Sequence, residues 1–368
     1  MRTVRRLFYA DIASSVAFVA VAFLSLFFFI DFVEELSNVG RNYTLLNAVG
    51  YALLAAPGHL YELLPIAVLI GAIYALARLA QTSQYTILRT GGLGPWRALW
   101  LLTSLGLLFA LATWLVGDYV APASERLASD IKALRQGPGA RGGGGAWLKD
   151  HAVTPEGERS YSVHVGSALG GSHLLDIRIF EFDADGRLLR RIAAASADVR
   201  SDSAWVLHQV HITRWLQDES GVAHVPVDER PEMVWPSTIS AAVVAAAVLP
   251  VSTMSTVELW RYISHLASNE QAAQEQEILF WKRALYPFAC LVMIGLALPF
   301  AYLGSRSGGI SLKVFGGIMI GISFVLLNNV AGHLGLLRDW TPWIVASAPS
   351  ALYMLLSFAA FSWLVRYR

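Results

Sequence analysis

The sequence predicts an α-helical membrane protein of six transmembrane helices, interrupted midway by an inserted all-β, jellyroll-like domain. Three observations lead there. Of 368 residues, 55% are hydrophobic and 15% charged, where a soluble domain carries about 25% charged residues. Apolar stretches of the roughly 20 residues needed to cross about 30 Å of hydrocarbon occur near 12–33, 50–77, 97–121, 281–303, 310–333 and 340–364. Between the third and fourth lies a polar island of short alternating runs, near 124–278. The organisation is therefore 1–123 (three spans), 124–278 (the β domain with flanking helices) and 279–368 (three spans).

The charge pattern orients these spans. Arg2, Arg5, Arg6, Arg78, Arg89, Arg97, Arg306, Lys313, Arg366 and Arg368 collect on one side. The opposite short loops hold Arg41 and Arg338 beside Asp31, Glu34, Glu35 and Asp339. Cytosolic loops carry the Lys/Arg excess, so both termini read as cytosolic and the β domain as facing outward. A net charge of +1, with no basic block, offers no nucleic-acid footprint. Cys290 stands alone, so no internal disulfide can form.

In chain order, Asp31, Glu34 and Glu35 end the first span as interfacial anchors or as one lip of a polar entry. Pro57 and Pro65 remove backbone donors from the second span and should bend it. The loop 78–97, RLAQTSQYTILRTGGLGPWR, reads as a two-turn helix capped by Thr82 or Ser83 and ended by Gly91 and Gly92. Helices this short are marginal alone, yet this one carries Tyr85, Ile87 and Leu88. A groove on a soluble partner is the expected holder, with a helix on lipid headgroups or a plain polar loop as the alternatives.

Pro122 should stop the third span, and Ser124 should open an amphipathic helix carrying Arg126, Lys132 and Arg135. These cations form either a solvated face or a phosphate-reading lip. A glycine-rich run, 137–145, then leads into the β domain. There, Asp183 to Gly186 reads as a hairpin turn, and the strands favour an antiparallel sandwich or jelly roll. Trp205, Trp215 and Trp235 are expected as core anchors.

Ser255 and Glu258 form a capping box, opening a helix expected to run through 269–277 into the fourth span. Lys282 and Arg283 near its start are either snorkelling anchors or an anionic headgroup site. Gly317 and Gly321 make a small-xxx-small face in the fifth span. Asn328 and Asn329 should there meet another helix or a polar cavity. No phosphate-binding loop fits Lys132, Lys149, Lys282 or Lys313, no histidine pair has metal-ligand spacing, and intramembrane charge is sparse. Energy for any uphill movement must come from elsewhere, and loop 78–97 is its natural entry.

Four stretches, FVEELSNVG, LYELLPIAVLIGAIYALARLAQTSQYTILRTGG, GDYVAPASERLA and WKRALYPFACLVMIGLALPF, resemble the lipopolysaccharide export permeases of the LptF/LptG (YjgP/YjgQ) type. FVEELSNVG and the AWLKD start of the β domain favour the LptG branch, with the paralogous LptF type as the alternative. The resemblance implies a non-catalytic membrane subunit of an ABC transporter in the Gram-negative inner membrane, with its β domain periplasmic. It would pair with an LptF-type paralogue above an LptB-type ATPase dimer, which uses ATP and magnesium while this chain binds no cofactor. Its further partners would be LptC, the periplasmic LptA bridge and lipopolysaccharide itself.

A coupling helix would fall on 83–90, with Ser83, Gln84, Tyr85, Ile87, Leu88, Arg89 and Gly91 at the ATPase contact. Gln84 stands where the family commonly has an acid. Lateral gates would lie between 12–36 of one subunit and 310–333 of the other, involving Phe28, Phe32, Leu36, Gly317, Gly321 and Asn328. Asp31, Ser37 and Asn38 replace headgroup-reading lysines of some relatives, which shifts that role to Arg41, Arg126, Lys132, Arg135, Lys282 or Arg283, or to bridging cations. A non-transporting scaffold or signalling subunit is the rival reading.

Overall fold

A computed structural model describes residues 2–367 other than 41–42, 93, 137–144, 155–156, 170–172, 201–203, 218–222, 238, 240–242, 245–246, 248–252, 269–272 and 303–308. The chain forms two compact units: Met1–Glu125 with Gln274–Arg368, and Arg126–Ala273.

The first unit is a helical bundle. Its helices are α1 (Arg2–Leu36), α2 (Leu45–Gln81), α3 (Gln84–Thr90) and α4 (Pro95–Leu115), a π-turn (Val116–Val120) and the start of α5 (Ala121–Gln136). Among the described residues, six helical segments are long and apolar enough to cross a membrane. The second, α2, runs unbroken through Pro57 and Pro65; in a membrane helix neighbouring groups re-satisfy carbonyls that proline leaves open. Its buried Leu69, Ile73, Leu76 and Leu79 form the centre of the bundle core, with Leu102 and Leu105 of α4. A Cβ at Gly71 would meet the Val16 backbone at 2.6 Å, so α1 and α2 approach where only glycine fits.

Pro122 does not stop the third span. Helical path continues from α4 through the π-turn into α5, and the Ala121 N–H bonds to the Val116 carbonyl, five residues back. The next bond in that pattern would run from residue 122 to Gly117, and proline has no N–H to make it. The π-turn thus absorbs the proline by leaving one carbonyl open. Ser124 does not open a helix either; its hydroxyl bonds back to the Ala121 carbonyl at 2.9 Å.

The second unit holds β1 (Ala146–Thr154), β2 (Gly157–Leu169), β3 (His173–Phe182), β4 (Leu188–Val199), β5 (Trp205–Arg214), the short pair β6 (Leu216–Gln217) and β7 (Ala223–His224), and β8 (Val227–Trp235). The main sheet is antiparallel, in the order β1-β2-β3-β4-β5-β8. The insert is all-β as expected, and its described strands pair in chain order. One face buries Leu148, Val163, Ile179, Ile192 and Ile212.

Trp205 and Trp235 meet in that core edge to face at 5.4 Å. Trp215 is 39% exposed, because it lies past the last paired residues of β5 and β8, Thr213 and Val227. The turn at Asp183 forms as the sequence indicates: Gly186 takes φ +78° and Asp183 Oδ1 accepts the Arg187 N–H at 2.8 Å. The capping box also forms, Glu258 accepting the Ser255 N–H at 2.8 Å. It opens α6 (Thr256–Ser268), and the expected continuation through 269–272 lies outside the described residues. Three spanning helices complete the first unit: α7 (Gln274–Tyr302), α8 (Ile310–Leu337) and α9 (Pro342–Tyr367).

Candidate functional site

The α2–α3 corner is built to hold a short helix still. Thr82 does not cap α3; its hydroxyl bonds back to the Arg78 carbonyl at 3.1 Å and so finishes α2. Ser83 turns the corner at φ +61°, and its carbonyl accepts the Ile87 N–H at 3.1 Å, the first bond of α3. The far end closes when the Gly91 N–H reaches the Ile87 carbonyl at 2.9 Å and Gly92 takes φ +99°. A left-handed residue costs a serine more than a glycine, so packing of α3 itself must hold the corner.

Tyr85 supplies that packing. It is 3% exposed, with its ring 5.2 Å from Tyr302 in an edge contact and 6.3 Å from Phe8. Leu88 packs on the same bundle core. The chain itself, not a partner groove, therefore holds α3, since two of its three large apolar residues point inward. The third, Ile87, is 67% exposed, and Ser83, Gln84, Thr90 and Gly91 are exposed beside it. Arg89 lies in α3, with its side chain outside the described residues. The result is a rigid peg with a small, largely polar tip.

The described cations do not gather into a headgroup site. Arg41 lies outside the described residues, as do the side chains of Lys132 and Arg135 on α5. Arg126 donates through Nε to the Thr253 carbonyl at 2.9 Å and pairs with Glu258. Lys282 donates to the Asn328 carbonyl of α8 at 3.0 Å. Arg283 donates to the Gly117 carbonyl at 2.9 Å, with its guanidinium 6.0 Å from the centre of the Tyr61 ring. That carbonyl is the one Pro122 leaves open. Arg126, Lys282 and Arg283 thus satisfy backbone oxygens within their own units.

The supposed gate residues divide in the same way. Gly317 and Gly321 are buried against α2, where added Cβ atoms would meet Ile73 at 2.5 Å and Ile66 at 3.0 Å. They serve packing within the chain. Asn328 is half-buried and offers its carbonyl to Lys282. On α1, Phe28 and Phe32 stack on each other at 6.3 Å, and Leu36 is exposed. The outward stripe of α8 is instead Leu312, Phe315, Met319, Ile322, Leu326 and Val330, all exposed.

Two polar links at the far end of α1 are not foreshadowed by the sequence pattern. Asp31 bonds to His59 of α2 at 2.8 Å, with the Phe27 ring tilted against the imidazole at 4.8 Å. Glu35 is buried and accepts from Asn38 at 2.9 Å; burial and then the Glu35 charge push the Tyr43 phenol up to about 12. The acids are visible as a cluster, but Asp31 finds its partner in another helix, which leaves no local periodicity to read. Among the described residues, no group of three or more His, Cys, Asp or Glu side chains is placed to hold a metal ion.

Six apolar helices long enough to span a bilayer, an inserted sheet and an anchored peg define a multi-pass membrane protein. Over residues 6–364 the chain matches the family described as lipopolysaccharide export system permease LptF/LptG, and it belongs to that family. It is 27% identical over 331 residues to the lipopolysaccharide export system permease protein LptG of Haemophilus influenzae, covering 89% of each chain. The protein of the same description from Escherichia coli K12 is 27% identical over 335 residues, again covering 89% of each.

Proposed function

We propose that this chain is the LptG-type membrane subunit of an ATP-driven extractor that lifts lipopolysaccharide from the inner membrane and passes it to a periplasmic bridge. Its partners in this reading are an LptF-type paralogue, an LptB-type ATPase dimer that binds the magnesium and ATP, LptC and the LptA bridge. The Arg-rich ends of the helices face the cytosol, and the β unit faces the periplasm. The supporting observation is the peg: a two-turn helix fixed to the bundle core through Tyr85, with Ile87 at its exposed tip. A rigid peg passes on displacement, which a free loop cannot do. For the lateral surfaces, the outward stripe of α8 replaces Gly317 and Gly321 as the face offered to α1 of the paralogue.

Co-purification of the assembled complex tests the coupling role. Ile87→Asp places a charge at the tip without touching the core and should reduce recovery of the ATPase about tenfold or more, as for a truncated interface anchor. Membrane insertion and recovery of the chain itself should stay normal. Full recovery of the ATPase with this variant removes α3 as its docking element.

A further inference from the structure

The sheet has a second face, opposite the one that builds the described core. Two adjacent cross-strand rows point away from the core: Trp147, His164, Arg178, Ala193, His211 and Glu229, and beside them Lys149, Ser162, Phe180, Arg191, Thr213 and Val227. The interleaved row, Leu148, Val163, Ile179, Ile192 and Ile212, is buried on the opposite side. Such an outward face is ordinarily small and polar. This one is aromatic and cationic.

Trp147 is 58% exposed, with its ring 4.9 Å from His164 and stacked at 5.9 Å on Phe180. The Arg191 guanidinium lies over the Phe180 ring, 5.9 Å from its centre. Two carboxylates on this face are paired: Asp176 with Arg178 at 3.2 Å and Glu229 with His211 at 3.2 Å. Arg191 and Lys149 have no carboxylate partner among the described residues, and Arg191 Nε is buried without a hydrogen-bond acceptor there. A guanidinium so placed matches a phosphate or carboxylate. An exposed indole plane beside it offers a flat surface for the C–H face of a sugar ring. An acyl chain would find only aromatic edges and charges here, not a continuous aliphatic trough.

We propose that this face binds an anionic saccharide, with its phosphate or carboxylate on Arg191 and Lys149 and a sugar ring stacked on Trp147. The inference rests on the lipopolysaccharide reading above and assigns the polysaccharide portion of that cargo to this surface.

The test uses the full chain in nanodiscs and three probes: intact lipopolysaccharide, its deacylated phosphorylated oligosaccharide, and that oligosaccharide after phosphatase treatment. Trp147→Ala and Arg191→Gln should each weaken the deacylated probe about tenfold, the effect of losing one charged hydrogen bond or a stacked ring. Trp260→Ala, which removes an exposed indole from α6, should change nothing. Phosphatase treatment should weaken binding to the wild type and have little further effect in Arg191→Gln. Hydrogen exchange across β3 and β4 confirms that the variants are folded.

If intact lipopolysaccharide binds while both variants take up the deacylated probe normally, the sheet-face site is overturned and the cargo reading survives. If intact lipopolysaccharide itself fails to bind the chain in its assembled complex, the cargo reading fails first. A photo-crosslinker at position 147 that captures only protein during export also overturns the saccharide site.

Discussion

Helices α2 and α8 have the same mean hydropathy, 2.1 over their most apolar windows, yet 78% of that window is buried in α2 and 22% in α8. Lipid is as apolar as a protein core, so hydropathy cannot distinguish a helix at the centre of a bundle from one at its rim. Small residues make the difference, because they let backbones approach closely. Buried Ala67, Gly71, Ala72, Ala75 and Ala77 recur along α2, whereas α8 buries mainly one stripe containing Gly317, Gly321, Gly332 and Gly335. The remainder of α8 carries large apolar side chains outward.

Glycine substitutions measure that difference most directly. Gly71→Ala in α2 would drive a Cβ to 2.6 Å from Val16 backbone atoms, which cannot rotate away, so α1 must shift. Overpacking of this kind costs about 1–3 kcal/mol. Gly316→Ala in α8 meets only Phe300, at 4.0 Å, and should be neutral or stabilising by up to about 1 kcal/mol from helix propensity. The thermal unfolding temperature in nanodiscs should therefore fall for Gly71→Ala and hold or rise for Gly316→Ala. Equal shifts would remove the distinction between hub and rim.

These cases also show what the sequence can reveal. The six spans and the all-β insert are legible because hydropathy and alternation are local patterns, as are the Asp183 turn and the Ser255–Glu258 cap, which lie within a few residues. Tyr85 reads wrongly as a partner contact because nothing near it in sequence says that its pocket comes from Phe8 and Tyr302. Lys282 and Arg283 read as surface cations because a cation near a helix end usually snorkels. Their acceptors are main-chain oxygens 46 and 166 residues away in sequence, and main-chain acceptors leave no compositional trace. Pro122 is the visible hint, since its missing N–H requires a donor from elsewhere.

The Arg283 bond makes a sharper prediction at a similar cost. Arg283→Gln leaves the Gly117 carbonyl without its donor and should destabilise the first unit by about 1–3 kcal/mol, the usual cost of an unsatisfied buried group. Pro122→Ala supplies a backbone N–H one position after the existing bond from Ala121 to Val116. In the Arg283→Gln background it should recover much of the loss, so the pair should be strongly non-additive in a double-mutant cycle. Additive effects would show that Arg283 and Pro122 do not share the Gly117 carbonyl.

The smallest effect separates the two arginine clips by what accepts their bonds. Arg283 donates to a carbonyl, which does not titrate, whereas Arg126 pairs with the Glu258 carboxylate. Burial opposes ionisation of Glu258, but hydrogen bonds from Ser255 and the Arg126 charge outweigh it and hold its pKa below the usual carboxylate value. A carboxyl whose folded pKa is depressed binds fewer protons than in the unfolded chain, so its contribution is complete above the ordinary value of about 4.3 and fades as pH falls through the folded value. Hydrogen exchange at the start of α6 should therefore accelerate as pH drops below about 4, after correction for the intrinsic exchange rate, while the π-turn amides of Val116–Val120 stay unaffected. Glu258→Gln should flatten that acid response and cost about 1 kcal/mol at neutral pH, the scale of a weakened cap. If α6 in the wild type shows no acid response beyond that of Glu258→Gln, the capping carboxylate is not what holds this helix start.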